Sequence, residues 1–143
     1  MLQELRIKDF AIIDVLDILL TPGFQVITGE TGAGKSIIVD AVNLLLGERS
    51  DATFVRAGAE RSVIEGIFAV PDGVREDLRA ILEAEGLEGD GADEVILTRE
   101  VRSNGRSVAR VNGVTCGLAV YREIGGLLVD IHGQGEHLSL LRP

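Results

Sequence analysis

The sequence predicts an α/β domain, and three observations carry that reading. A β-rich run, Phe24-Gln25-Val26-Ile27-Thr28, leads into a glycine loop, which leads into an apolar run of helical character over residues 36–46. Short stretches of apolar–polar alternation recur at residues 2–13, 15–20, 62–70, 94–102 and 107–114, the pattern of strands with one buried face. Ser103-Asn104-Gly105-Arg106 joins the last two of these, and Asn-Gly is the strongest short hairpin signal.

Each element has a local reason. Thr21-Pro22-Gly23 separates the second strand from the run that enters the glycine loop. The helix after that loop carries Ile37, Val39, Ala41, Val42, Leu44, Leu45 and Leu46 and stops at Gly47, so it is expected to be mostly buried. Residues 50–58 read as a loop. Pro71-Asp72-Gly73 ends the strand at 62–70, and residues 74–85 form an amphipathic helix through Val74, Leu78, Ile81 and Leu82. The Gly- and acid-rich stretch 86–93 reads as a flexible loop. Residues 117–125 read as a helix, residues 127–131 as a buried strand, and residues 132–141 as a loop leaving it.

Composition narrows the function classes. The chain has 143 residues, suited to one domain, and 45% are hydrophobic, enough for a core. Aromatics are only 3%, so the core must be aliphatic. The formal net charge of −9 opposes a polyanion, so any nucleic-acid contact must come from local arginines. Arg99, Arg102, Arg106 and Arg110 lie on the expected hairpin, where Glu94 and Glu100 dilute them; a solvated strand face is the better expectation. Cys116 is the one cysteine, which permits no internal disulfide, fits a reducing compartment and reads as a small buried residue. The charged N-terminus does not resemble a signal peptide, and no apolar stretch is long enough for a membrane span, so a cytoplasmic protein without a membrane partner is expected.

The chemistry lies in Gly29-Glu30-Thr31-Gly32-Ala33-Gly34-Lys35-Ser36, a match to the phosphate-binding P-loop in its required strand–loop–helix setting. Gly29, Gly32 and Gly34 let the main chain approach an anion, with Glu30, Thr31 and Ala33 completing the loop. Lys35 brings a positive charge to the outer phosphates, the N–H groups of the following helix point the same way, and the Ser36 hydroxyl is placed to ligate Mg²⁺. The expected ligand is a nucleoside triphosphate, with ATP and Mg²⁺ the leading pair. His132 and His137 are five residues apart, wrong for one helical face, and no metal site is expected there.

Further motifs surround the loop: Ile7-Lys8-Asp9-Phe10-Ala11-Ile12-Ile13, Val55-Arg56-Ala57-Gly58, Gly105-Arg106-Ser107, Val111-Asn112-Gly113 and Ile131-His132-Gly133-Gln134-Gly135-Glu136-His137. Their order and span resemble the N-terminal head segment of the RecN family of bacterial DNA-repair proteins, SMC-like members of the ABC ATPase class. The resemblance implies a P-loop head lobe with a mixed sheet and an antiparallel β hairpin region, occupying residues 1–143. It implies that Gln134 is the glutamine that reaches Mg²⁺ and the attacking water, against the plain reading of an exposed loop residue. Arg56 then resembles the arginine lying near the nucleotide and the DNA-facing surface, against the plain reading of a surface arginine. Two positions depart from the family pattern: Asp9 stands where Asn is usual, and Gly135 where His is usual.

The resemblance also implies what the chain lacks. No Leu-Ser-Gly-Gly signature, no apolar strand ending in Asp-Glu and no heptad stretch is present. In the family these lie in a C-terminal half beyond a long coiled coil, so this segment alone is expected to be inactive. The complete protein is then expected to act in double-strand-break repair and recombination. Its expected partners are DNA, the C-terminal lobe and a second head gathered around ATP, in the nucleoid region of the cytoplasm. One alternative is a compact GTPase-like switch, since Asp130-Ile131-His132-Gly133-Gln134 fits Asp-x-x-Gly-Gln, although Asn43, Asn104 and Asn112 begin no guanine-reading motif. The other is a nucleotide-binding interaction module without turnover.

Overall fold

The computed structural model describes residues 1–20, 32–89 and 93–129, with the backbone alone described at 32–35. The first strands are β1 (Leu2–Phe10) and β2 (Ile13–Leu19), followed by helix α1 (Gly32–Leu45) and β3 (Arg61–Ala69). Then come α2 (Arg75–Glu85), β4 (Glu94–Arg102), β5 (Ser107–Val111), β6 (Val114–Cys116) and α3 (Leu118–Leu128). The strands form a six-stranded sheet in the order β2-β1-β3-β4-β5-β6. Every pairing among these described strands is antiparallel.

Alternation decides which face is buried. In β3, Ser62, Ile64, Gly66 and Phe68 point to the core; in β4 Val95, Leu97, Arg99 and Val101 do so. β1 departs from strict alternation, since Leu2, Leu5, Ile7 and Phe10 are all buried. Two irregularities reconcile this with the pleat. The register against β3 shifts between Leu2 and Glu4, and Asp9 adopts a left-handed backbone at φ 55°. Asn and Asp are the non-glycine residues best suited to that conformation. Asp9, one of the two departures from the expected family pattern, thus suits the conformation it adopts.

Helix α1 lies across the middle of the sheet, and Gly66 makes room for it. A Cβ at Gly66 would lie 2.5 Å from Leu45 Cδ2 and 3.0 Å from Phe68 Cε1. Ala41, Val42, Leu44 and Leu45 of α1, Leu78 of α2, and Tyr121, Ile124 and Leu128 of α3 join the strand residues in one apolar core.

The observed elements correct several expectations. α1 begins at Gly32, four residues before the expected start. A short 3-10 turn, Asp72–Val74, precedes α2. The strand expected through residue 114 ends at Val111, because Asn112 (φ 52°) and Gly113 (φ 85°) make a second tight turn into β6. Leu127 and Leu128, expected on a buried strand, are the last turn of α3; an apolar run this short does not distinguish a strand from the end of a buried helix. Cys116 is half-buried rather than buried, at the end of β6.

Candidate nucleotide site

The sequence-derived site residues fall into three groups. Gly29, Glu30, Thr31, Asp130 and Gln134, together with both histidines, lie outside the described residues. The backbone of Gly32, Ala33, Gly34 and Lys35 forms the first turn of α1, and Ser36 follows on the same helix with an exposed side chain. The helix thus starts inside the glycine motif. The first N–H groups of a helix have no intrahelical acceptor, and no acidic residue occupies this first turn to compete for them.

Arg56 belongs to a separate cluster, built against the β1–β2 turn. Its main-chain N–H donates to the Asp9 carbonyl at 2.9 Å, and its Nη1 donates to the Ile12 carbonyl at 2.9 Å. Next to it, the Ala11 N–H donates to the Phe54 carbonyl at 2.7 Å, and the Phe10 and Phe54 rings stack with centroids 5.1 Å apart. Asp51 opens the short 3-10 turn Ala52–Phe54 by accepting from the Thr53 N–H at 2.9 Å, a contact that lowers the Asp51 pKa. The motifs Ile7-Lys8-Asp9-Phe10 and Val55-Arg56-Ala57-Gly58, far apart in sequence, therefore meet in one hairpin-and-loop unit.

The C-terminal end of α1 carries groups that the sequence reading assigned elsewhere. Arg99, expected on a solvated strand face, is 1% exposed. Its Nη1 donates to the carbonyls of Leu44 (2.9 Å) and Glu48 (3.0 Å), at the end of α1. Its guanidinium stands over the Tyr121 ring, 5.7 Å from the centroid. Burial pulls the Arg99 pKa down, with the Tyr121 interaction opposing. The Tyr121 hydroxyl donates to the Leu45 carbonyl, and burial pushes its pKa up, so the phenol keeps its proton. Arg122 donates to the Gly47 carbonyl from Nε (3.2 Å) and Nη2 (3.0 Å). A signal for Arg99 was present in the sequence: period two places it on the same face as Val95, Leu97 and Val101.

The opposite face of the sheet holds Arg61, Arg102 and Arg110 around one carboxylate, while Arg106 is exposed as expected. Glu100, 3% exposed, is paired to Arg102 Nε at 2.9 Å, Arg110 Nη1 at 3.1 Å and Arg61 Nη1 at 3.4 Å. Burial alone would raise its pKa, but the bonds from Arg102 and Arg110 prevail and hold it below the ordinary carboxylate range. Among the described residues, no group of three or more His, Cys, Asp or Glu side chains could hold a metal ion. No described helix is long and apolar enough to cross a membrane.

Comparison with known proteins places this geometry. The family model described as AAA domain matches residues 4–134, nearly the whole chain. The chain belongs to the AAA domain family. This AAA-family chain is 49% identical over 141 residues to the DNA repair protein RecN of Halalkalibacterium halodurans, an alignment covering 99% of the chain and 24% of that protein. With the RecN of Bacillus subtilis it shares 44% identity over 142 residues, with the same coverages of 99% and 24%. The resemblance read from the motifs is borne out, and the chain spans about a quarter of the length of these relatives. A solved chain from a study of ATP-driven dimerisation and DNA-stimulated activation of SMC ATPases matches with a TM-score of 0.68 and 24% identity, covering 99% of this chain and 91% of that one. At that identity the likeness is one of fold alone; an SMC head bound to the C-winged helix domain of ScpA matches with the same TM-score of 0.68, at 25% identity over 90% of this chain and 41% of that one. The GTPase-like alternative is not favoured by these relationships.

Proposed function

We propose that this chain is the ATP-binding N-terminal lobe of an SMC-like ATPase head, in a protein of double-strand-break repair and recombination. The observation that carries the reading is the likeness to RecN proteins along 99% of the chain, running through the glycine loop. Local geometry supports it, since α1 starts within that loop, carries no acid in its first turn and exposes Ser36. Such a helix start fits a phosphate group.

In this reading the main chain of Gly29, Glu30, Thr31, Gly32, Ala33 and Gly34 wraps the phosphates. Lys35 holds the outer phosphates and steadies the charge that grows on them during transfer. The Ser36 hydroxyl would be one of the Mg²⁺ ligands, and Gln134 would hold the attacking water. Bound Mg-ATP supplies the electrophilic phosphorus and the cation that draws charge from it. Arg56, braced on the Ile12 carbonyl, lies at the margin of the nucleotide and of the DNA-facing surface. Turnover then needs a C-terminal lobe and a second head closing over the first. DNA is the partner of the complete protein, which works in the cytoplasm at the nucleoid. Residues 1–143 alone bind ATP weakly and hydrolyse it negligibly.

The test is Lys35→Ala, read by ATP affinity. A charge-assisted contact is worth about 1.5–3 kcal/mol, so affinity should fall about ten- to a hundredfold while the far-UV circular dichroism stays unchanged. Affinity within twofold of the parent protein would overturn the P-loop assignment.

A further inference from the structure

We propose that Arg99 is a positioning residue for nucleotide turnover: with Tyr121 and Arg122 it clamps the C-terminal end of α1 against α3. The inference rests on the ATPase reading and names a device that serves the same site.

Arg99 is an unusual core residue. The residue is 1% exposed, and its Nε and Nη2 have no hydrogen-bond partner among the described residues. Burying a cation without a carboxylate is costly, and an apolar side chain of similar volume is often no worse for stability. What Arg99 offers instead is its two bonds from Nη1, to the carbonyls of Leu44 and Glu48. These carbonyls sit at the negative end of the α1 dipole, where a cation is favoured. Tyr121 takes the Leu45 carbonyl and Arg122 the Gly47 carbonyl. Side chains from β4 and α3 thus hold the Leu45, Gly47 and Glu48 carbonyls, and the Leu44 carbonyl is shared between Arg99 and the Gly47 N–H at 3.1 Å.

The backbone approach is equally close. A Cβ at Gly125 would lie 3.1 Å from the Leu46 carbonyl oxygen, and one at Gly47 would lie 3.1 Å from Arg122 Cγ. Glycine at both positions lets α3 sit directly on the end of α1. The two helices lead to the two halves of the proposed chemistry. α1 begins at the glycine loop and carries Lys35 and Ser36, while the chain leaving α3 reaches Gln134 six residues after Leu128. Fixing α1 on α3 therefore fixes the base from which the water-positioning glutamine is hung.

The experiment uses the full-length protein and three variants, Arg99→Met, Arg99→Lys and Tyr121→Phe. Four quantities are read: melting temperature, ATP Kd, kcat, and amide hydrogen exchange of residues 42–48 without nucleotide. Arg99→Met should keep the melting temperature within a few degrees and the Kd within about threefold. It should lower kcat about tenfold or more and speed exchange at residues 42–48. Arg99→Lys, which keeps a donor, should recover most of the kcat. Tyr121→Phe should show the same pattern more weakly, and it decides the matter if Arg99→Met does not fold. Unchanged kcat and exchange in a folded variant would overturn the proposal. So would a parallel fall of melting temperature, Kd and kcat without rescue by lysine, the mark of a purely structural residue. A parent protein that neither binds nor hydrolyses ATP would remove the ATPase reading instead. The exchange arm would then decide the clamp alone, with unchanged exchange at residues 42–48 overturning it.

Discussion

Asn112 should be worth more to this fold than its place in a surface turn suggests. Its Oδ1 accepts the Ile96 N–H at 3.0 Å, and its Nδ2 donates to the Leu87 carbonyl at 2.9 Å. One side chain thereby ties the β5–β6 turn to the start of β4 and to the segment leaving α2. Its backbone lies in the left-handed region at φ 52°. Asn112→Ala removes two hydrogen bonds, about 0.5–1.5 kcal/mol each, and asks alanine to hold a conformation costing it about 1–2 kcal/mol. The sum is a loss of about 2–5 kcal/mol. Asn112→Gly loses the same bonds without the conformational cost, so it should be less damaging by about 1 kcal/mol. Asn112→Asp keeps the acceptor and the tolerated conformation but sets an oxygen against the Leu87 carbonyl, and should fall between the parent and alanine. The assay is urea unfolding followed by far-UV circular dichroism, because one Tyr and no Trp make fluorescence a poor probe. With a slope of about 2 kcal/mol/M, the alanine variant should shift the midpoint by about 1–2.5 M. Equal losses in the alanine and glycine variants would refute the conformational part of the argument. A glycine variant as stable as the parent would refute the hydrogen-bond part.

Other outcomes follow from the same structure. Glu100 has a depressed pKa in the folded state, so its contribution is present above the unfolded value of about 4.3 and is lost as pH falls through the folded value. Glu100→Gln should therefore lower stability at neutral pH and flatten its decline below about pH 4; parallel acid limbs in thermal melts from pH 7 to 3 would contradict this. Gly66→Ala places a methyl group 2.5 Å from Leu45 Cδ2 in a filled core and should cost about 1–3 kcal/mol in urea unfolding, whereas a stabilised variant would show that α1 can withdraw freely. In the full-length protein, Gln134→Ala should cut turnover strongly while leaving ATP affinity within a few fold, and Asp130→Asn should affect stability more than metal dependence. A large rise in the Mg²⁺ requirement for Asp130→Asn, with Gln134→Ala silent, would reverse those roles.

The sequence by itself determined what depends on local order along the chain. The glycine loop, from which the proposed phosphate site is read, is such a feature: its glycines, Lys35 and Ser36 stand at fixed spacing around the start of a helix. So is the hairpin at Asn104-Gly105, although its loop is the three residues 103–105, with Gly105 at φ 94°, rather than a two-residue turn. The motifs also carried the likeness to RecN, although they did not show why Asp9 or Asn112 stands where it does. Both sit at positive φ, and only the folded backbone shows that such an angle is required.

Tertiary structure decided which charges are buried and what they hold. Arg99 and Arg102 lie three residues apart on one strand and look alike in sequence, yet the pleat sends one under α1 and the other to Glu100 on the far face. Leu127 and Leu128 read as strand because a short apolar run fits either state, and packing of α3 against the end of α1 settles them as helix. The partners of Glu100 come from three strands, and the carbonyls at the end of α1 are taken by side chains more than 50 residues away. Periodicity gives each residue a face, but which residue lies opposite is set by strand order and helix placement, and those follow from burying the whole core at once.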